Sequence, residues 1–393
     1  MTTHHDTPRD PIRTIVVQPS LAAYRSAVYR ELNSRTDIAF RLWYGTDPGI
    51  TNVEPQGFAA EYRPQKVWQF ARQQVLWHPA QIEAARQKDV DVVVLSWSSR
   101  YLSLGPAIRT AKRRGVGVVL WGHGFSRTES PLRKLARDRI AGMGDALLFY
   151  DQKTADAAIA SGQAAQRVFV AHNAIDQASI TAATQEWREA PERLDAFRVA
   201  ENLEGRRVLL YVSRFTPKNR LPLLVDAIDR LRKSHPEVLC VMIGGGELHD
   251  AIQQDIHERS IGDHFRLLGP IYDESQLAPW FLSAEAFAYP SAIGLSILHA
   301  FGYGLPLVTD DAWENHNPEI VAYQPDESLP HANGLAYRSG DSQALSATLA
   351  RLLDDRSLRD RLAEGALWTV RERYNVPAMV DGMAAAIRYA ARR

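Results

Sequence analysis

The chain has 393 residues, too many for one ordinary core and suited to two domains of similar size. Its 46 basic and 46 acidic residues cancel to a formal charge of zero, which argues against a nucleic-acid protein with its strongly basic binding face. The single cysteine, Cys240, excludes an internal disulfide and a cysteine-rich metal site, and suits a reducing cytoplasm.

Residues 1–12 are polar and form no apolar leader, so they are expected to be disordered rather than a signal peptide. Short apolar runs follow at 14–17, 38–44, 91–95, 116–120, 146–150 and 168–170, with helical spacing between several of them, as at 24–32 and 131–140. Continuous Val/Ile/Leu runs of this length suit strands buried on both faces, and their alternation with helices implies βαβ units and a parallel sheet. The first domain is therefore expected to span 13–180. Residues 181–205 are charged, Ala-rich and without a strong apolar run, and read as an interdomain linker with some helix.

A second series begins at 208–212 and continues at 239–243, 265–268, 286–289, 306–309 and 334–337. Helical stretches at 221–232, 248–259, 294–303 and 344–353 separate these runs, which predicts a second domain over 206–375 and a closing helix over 376–393. The expected fold is α/β, with two Rossmann-like doubly wound domains facing each other across a cleft. Ligands in such sheets bind beyond the carboxyl ends of the strands. No stretch is long and apolar enough to cross a membrane, so the expected location is cytoplasmic, with any membrane association peripheral and at the inner face.

Two loops of the second domain carry anion chemistry. The strand at 208–212 runs into Ser213-Arg214-Phe215-Thr216-Pro217-Lys218 and then a helix, so that Arg214 and Lys218 sit where a strand ends and a helix starts. That position favours phosphate, which Arg214 can grip as a planar fork and Lys218 as a point charge; a solvated surface loop is the alternative. In the second loop a strand leads through Tyr289-Pro290-Ser291 to a predicted helix start at Gly294, where the amides of Gly294, Leu295 and Ser296 would face outward. His299 lies inside this helix, where an imidazole serves packing more often than ligand binding.

Together these segments resemble the family 4 glycosyltransferases of the GT-B fold. Trp121-Gly122-His123-Gly124 is similar to the first-domain motif whose His faces the donor sugar. His172-Asn173-Ala174-Ile175-Asp176 is similar to the sequence preceding the linker, 213–218 to the phosphate loop, and Gly244-Gly245-Gly246 to the glycine turn. Residues 294–306 resemble the donor-site helix, Pro318-Glu319 a later Pro-Glu, and Asn333-Gly334 the Asn-Gly that follows. The resemblance implies retaining transfer of a sugar from a nucleoside diphosphate sugar to a sugar, lipid-linked or small-molecule acceptor, in glycan, polysaccharide or glycoconjugate biosynthesis. It implies no cofactor and no metal. It assigns catalytic work to His123, Arg214 and Lys218, and donor binding to Gly245, Ser291, Gly294, Leu295, Ser296, His299 and Glu319. The family's pair of glutamates is replaced by Ser291 and His299, and Glu319 is the substitute carboxylate.

The only Asp-Xaa-Asp, Asp89-Val90-Asp91, runs straight into an apolar strand and reads as a helix–strand junction rather than a metal motif. Tyr24 and Arg25, after the first strand, are acceptor-binding candidates. The loop that holds them lacks the GxGxxG fingerprint of dinucleotide binding. Residues 63–77 mix Arg63, Lys66, Arg72, Trp68 and Trp77, and 131–139 adds Arg133, Lys134, Arg137 and Arg139, a composition that suits an anionic membrane surface or a solvated face over core aromatics. A nucleotide-sugar epimerase and a non-catalytic nucleotide- or sugar-binding protein are the competing functions.

Overall fold

The computed structural model describes residues 10–47, 50–70, 73–124 and 131–392. The chain divides into two compact units, one formed by Met1–Ala174 with Val376–Arg393, the other by Ile175–Asn375.

The first unit is built on a parallel sheet of β1 (Ile12–Gln18), β2 (Ile38–Tyr44), β3 (Ala60–Tyr62), β6 (Val92–Ser96), β7 (Gly117–Gly122), β8 (Ala146–Phe149) and β9 (Val168–Val170). Their order is β3-β2-β1-β6-β7-β8-β9, so the direction of winding reverses between β1 and β6. Strand β6 reads VVVLS and is buried throughout, as a strand covered on both faces must be. Between β3 and β6 lies an antiparallel hairpin of β4 (Lys66–Phe70) and β5 (Gln73–Trp77). The helices are α1 (Ser26–Asn33), α2 (Pro79–Arg86), α3 (Leu104–Arg113), α4 (Pro131–Met143) and α5 (Gln152–Ala160).

The second unit opens with α6 (Gln177–Glu189) and α7 (Pro191–Ala200), where the sequence predicts a linker. The apolar signal there is sparse because only Ile180, Ala183 and Trp187 of α6 are buried, at helical spacing. Trp187 nevertheless meets Phe197 edge-on, and Phe197 stands edge-on to Trp280 at 4.9 Å, which ties both helices into the unit. The boundary therefore falls after Ala174, not at 180, and 181–205 is part of the second unit.

Its parallel sheet consists of β10 (Arg207–Val212), β11 (Val238–Ile243), β12 (Phe265–Leu268), β13 (Ala286–Ala288), β14 (Leu307–Asp310) and β15 (Gly334–Tyr337), in the order β12-β11-β10-β13-β14-β15. Winding reverses between β10 and β13. The covering helices are α8 (Leu221–Leu231), α9 (His249–Glu258), α10 (Glu274–Ser283), α11 (Ser296–Gly302), α12 (Ser342–Asp354) and α13 (Arg356–Trp368).

The final helix, Val376–Ala391, belongs to the first unit. It buries Met379, Met383, Ile387 and Ala390 along one face, and Arg388 clamps Asp37 with bonds of 2.6 and 3.1 Å. At the other end of the chain β1 starts at Ile12, inside the stretch expected to be disordered; residues 1–9 of that stretch lie outside the described residues.

Candidate functional site

The reversal in the second sheet places two loops side by side, one after β10 and one after β13. A crevice at such a reversal, outside the carboxyl ends of the strands, is where doubly wound sheets bind ligands. A hydrogen bond joins the loops directly: the Tyr289 hydroxyl donates to Ser213 Oγ at 2.9 Å.

The loop after β10 is held from beneath. Asn219, almost fully buried, donates through Nδ2 to Arg214 O and to the Tyr211 hydroxyl, both at 2.7 Å. Phe215 is buried in the core, and its amide bonds Gly245 O at 2.8 Å. Gly244 makes this approach possible: a Cβ there would lie 2.0 Å from Ser213 O, and its φ of +144° excludes other residues. With the backbone anchored, Arg214 and Lys218 stand exposed, and among the described residues neither has an ion-pair partner. The sequence-predicted pair of cations is thus presented to solvent at the reversal point.

The loop after β13 is clamped just as firmly. Tyr337 donates to Pro290 O at 2.7 Å, Asn317 Nδ2 to Ala292 O at 2.9 Å, and the Asn317 amide to Ile293 O at 2.9 Å. The amide of Ile293 donates to His316 Nδ1 at 3.2 Å, which requires His316 to carry its proton on Nε2; that nitrogen meets Asp310 Oδ1 at 3.0 Å. Asp310 and His316 are both buried. Burial works against the Asp310 carboxylate, but hydrogen bonding, led by that from His316, outweighs it and holds its pKa below the usual carboxylate range.

Helix α11 begins at Ser296 with Leu295 as its cap, two residues later than the predicted start at Gly294. Gly294 and Leu295 instead complete the loop, and the Glu319 carboxylate lies against Gly294, 3.6 Å from where its Cβ would be. Glu319 is thereby brought to the same loop as Gly294, Leu295 and Ser296.

Two expected donor contacts fall elsewhere. Ser291 is fully buried, so it presents no surface to a ligand. His299 turns inward on α11: its Nε2 donates to Glu274 Oε1 at 2.8 Å and its ring meets Phe281 at 4.7 Å. Tyr303 donates to the same Glu274 oxygen. Burial would raise the Glu274 pKa, yet the bonds from His299 and Tyr303 bring it below its ordinary value. Glu274, Tyr289, Asp310 and His316 escape sequence reading. Only Tyr289 and Asp310 carry a signal, being polar residues at the ends of apolar strands.

In the first unit the Trp-Gly-His-Gly segment ends β7. Gly124 has φ +67°, and a Cβ on it would strike Phe149 at 2.6 Å. His123 keeps exposed surface, while its ring lies 4.5 Å from that of Tyr150. Desolvation by its neighbours, helped by the charge of Arg25, lowers its pKa below the ordinary imidazole value. Tyr24 is half-buried. Arg25 is buried, with its guanidinium 5.3 Å from the Tyr24 ring, 5.0 Å from Trp121 and 5.2 Å from Tyr150. His123, Tyr24 and Arg25 therefore share one neighbourhood.

Asp89 and Asp91 are taken up by Arg41 at 3.0 Å and Arg13 at 2.7 Å, at the amino end of β6 and away from the ligand rim. Among the described residues there is no group of three or more His, Cys, Asp or Glu arranged to hold a metal.

Residues 193–367 match the family model described as "Glycosyl transferases group 1". The GDP-mannose-dependent alpha-(1-6)-phosphatidylinositol monomannoside mannosyltransferase of Mycolicibacterium smegmatis is 23% identical over 280 residues, covering 68% of this chain and 69% of that one. The alpha-D-kanosaminyltransferase of Streptomyces kanamyceticus is 24% identical over 301 residues, covering 75% and 69%. The crystal structure of Anabaena Alr3699/HepE in complex with UDP shares the fold with a TM-score of 0.69 at 15% identity, over 95% of this chain and 98% of that one. Residues 193–367 are thus a glycosyl transferases group 1 domain, and the chain, built from two Rossmann-like α/β units of GT-B type, is a glycosyltransferase that uses a nucleotide sugar.

Proposed function

We propose that the two loops at the reversal point of the second sheet hold the diphosphate of the nucleotide sugar, and that Arg214 and Lys218 neutralise the charge that grows on the departing nucleoside diphosphate. The observation that carries this reading is the Tyr289–Ser213 bond, which locks the two loops together beneath a pair of cations without ion-pair partners among the described residues. Fixed charges aimed at developing charge need no reorganisation during reaction, so they do the work a metal would otherwise do. Glu319, beside Gly294, is the carboxylate that meets the sugar or ribose of the donor. His123, kept neutral by its surroundings, is the first unit's reactive contact with substrate.

The reaction retains the donor's anomeric configuration, and the alpha linkages in both relatives' names support this. The acceptor belongs to glycan, cell-surface polysaccharide or glycoconjugate biosynthesis. A lipid-linked acceptor agrees with the phosphatidylinositol monomannoside in the mycobacterial relative's name and with Trp68 and Val67 exposed on the β4–β5 hairpin. That hairpin makes peripheral contact with the cytoplasmic face of the membrane. Arg72 and the side chains of Arg133 and Lys134, which entered the sequence-level membrane expectation, lie outside the described residues.

The deciding experiment is a thermal-shift screen of nucleoside diphosphates on the wild type and on an Arg214→Ala/Lys218→Ala variant. Ligand that binds only the folded state raises Tm by mass action. One nucleotide should stabilise the wild type and not the variant; equal stabilisation of both would remove the two cations from the site.

A further inference from the structure

At the carboxyl-end rim of the first sheet a guanidinium is buried and, among the described residues, two buried donors have no acceptor. Arg25 is more than nine-tenths buried, yet among the described residues no carboxylate pairs with it. Its surroundings are the faces of Tyr24, Trp121 and Tyr150, and Met379 Sδ at 3.6 Å from Nη1. The indole Nε1 of Trp121 is buried with no acceptor, and so is Nε2 of Gln18 at the end of β1. Gln18 is two residues beyond Val16, so its side chain leaves the sheet on the Val16 face, where Trp121 and Tyr150 also pack.

A buried guanidinium without a counter-ion is costly, and aromatic faces recover only part of the lost hydration. Two neutral donors left without acceptors on the same face of the sheet add to the cost. Chains tolerate such an arrangement where a ligand completes it. The missing partner must accept hydrogen bonds and carry negative charge, which describes an oxyanion. His123, whose ring lies 4.5 Å from that of Tyr150, keeps exposed surface at the edge of this cluster.

We propose that Arg25, Trp121 and Gln18 form a pocket for an oxyanion, a phosphate or carboxylate, carried by the acceptor. The inference rests on the glycosyl-transfer reading above and gives the acceptor its chemical class. The donor's diphosphate already has Arg214 and Lys218 in the second unit, so the first unit's anion belongs to the other substrate. Arg25 binds through its fork, Trp121 and Gln18 complete the hydrogen bonding, and the aromatic faces exclude water and strengthen each bond.

The probe is inorganic phosphate, compared with chloride at equal ionic strength, on the full chain. Phosphate should raise the wild-type Tm with concentration. The rise should shrink in Arg25→Met, shrink separately in Arg214→Ala/Lys218→Ala, and vanish only when all three changes are combined. A rise undiminished by Arg25→Met, or abolished by the paired variant alone, overturns the pocket and leaves the glycosyl-transfer reading standing. Without added anion, Arg25→Met should melt a few degrees above the wild type, because a buried charge has gone; a lower Tm makes Arg25 a packing residue. Nucleoside diphosphate affinity should be the same in Arg25→Met as in the wild type. A loss of about tenfold or more would assign the anion to the donor and overturn the acceptor assignment. A readout independent of any Arg25 variant is the indole N–H resonance of Trp121, identified with Trp121→Phe. It should move on adding phosphate and not chloride, and a resonance that stays in place overturns the proposal.

Discussion

At the residue scale, the second unit separates groups that meet ligand from groups that hold them in position. Among the described residues Arg214 and Lys218 have no other ion-pair duty, so Arg214→Ala should weaken nucleoside diphosphate binding by about 10–100-fold with little change in Tm, as isothermal titration and melting would show. Asp310 works at one remove, through His316 and the Ile293 amide. Asp310→Ala should cost about 3–5 kcal/mol of stability in denaturant titration, since it leaves a buried network without its charge. The Asp310 carboxyl is lowered in the folded state, so its contribution is present above the ordinary carboxylate range and is lost as pH falls through the lowered value. His123 is lowered as well, so its neutral form persists to below the ordinary value of 6.5. Activity that depends on neutral His123 should have its acid limb below that of an ordinary imidazole, and kcat/KM of His123→Asn should lack this acid limb. The placement of the cations was legible in sequence because an apolar strand ending in Ser-Arg before a helix puts the loop at the carboxyl rim of the sheet. Ser291 and His299 were misplaced because sequence spacing does not say which way a side chain turns at a helix start. Only Glu274, distant in the chain, explains the direction of His299.

At the scale of elements, the strands were largely readable, since each parallel strand is an uninterrupted apolar run. Among the elements that sequence reading left unnamed or only hinted at, α6, α7 and the β4–β5 hairpin have a thin or alternating apolar signal. The hairpin leaves Val67 and Trp68 each 41% exposed. Liposome flotation should recover the wild type with anionic vesicles and Trp68→Ala to a lesser extent; equal recovery of both would exclude the hairpin from any membrane contact. The glycine turn after β11 is the most constrained short segment. Gly244→Ala should destabilise the protein by about 2–5 kcal/mol and should raise KM for the donor in parallel, because the new methyl group pushes against the backbone that carries Arg214.

At the scale of the whole molecule, composition correctly pointed to two domains, but the positions at which the chain crosses between them were hidden. The crossing at Ala174 lies within the His-Asn-Ala-Ile-Asp segment, and the second crossing brings the final helix back to the first sheet. A polypeptide of Ile175–Asn375 should fold alone with a cooperative melt, because all of its strands and covering helices are contiguous. A chain stopped at Asn375 should melt in two steps, with the first unit's transition lowered or absent. The same discontinuity sets an order of events during translation. The second unit is complete about 200 residues after the first unit's sheet has emerged, and only then is the helix that covers that sheet made. At roughly 5–20 residues per second, the nascent first sheet waits on the order of ten to forty seconds with an apolar face uncovered. The half that is made first is therefore the half that finishes last, and it is the one whose yield should depend on chaperones in the cell.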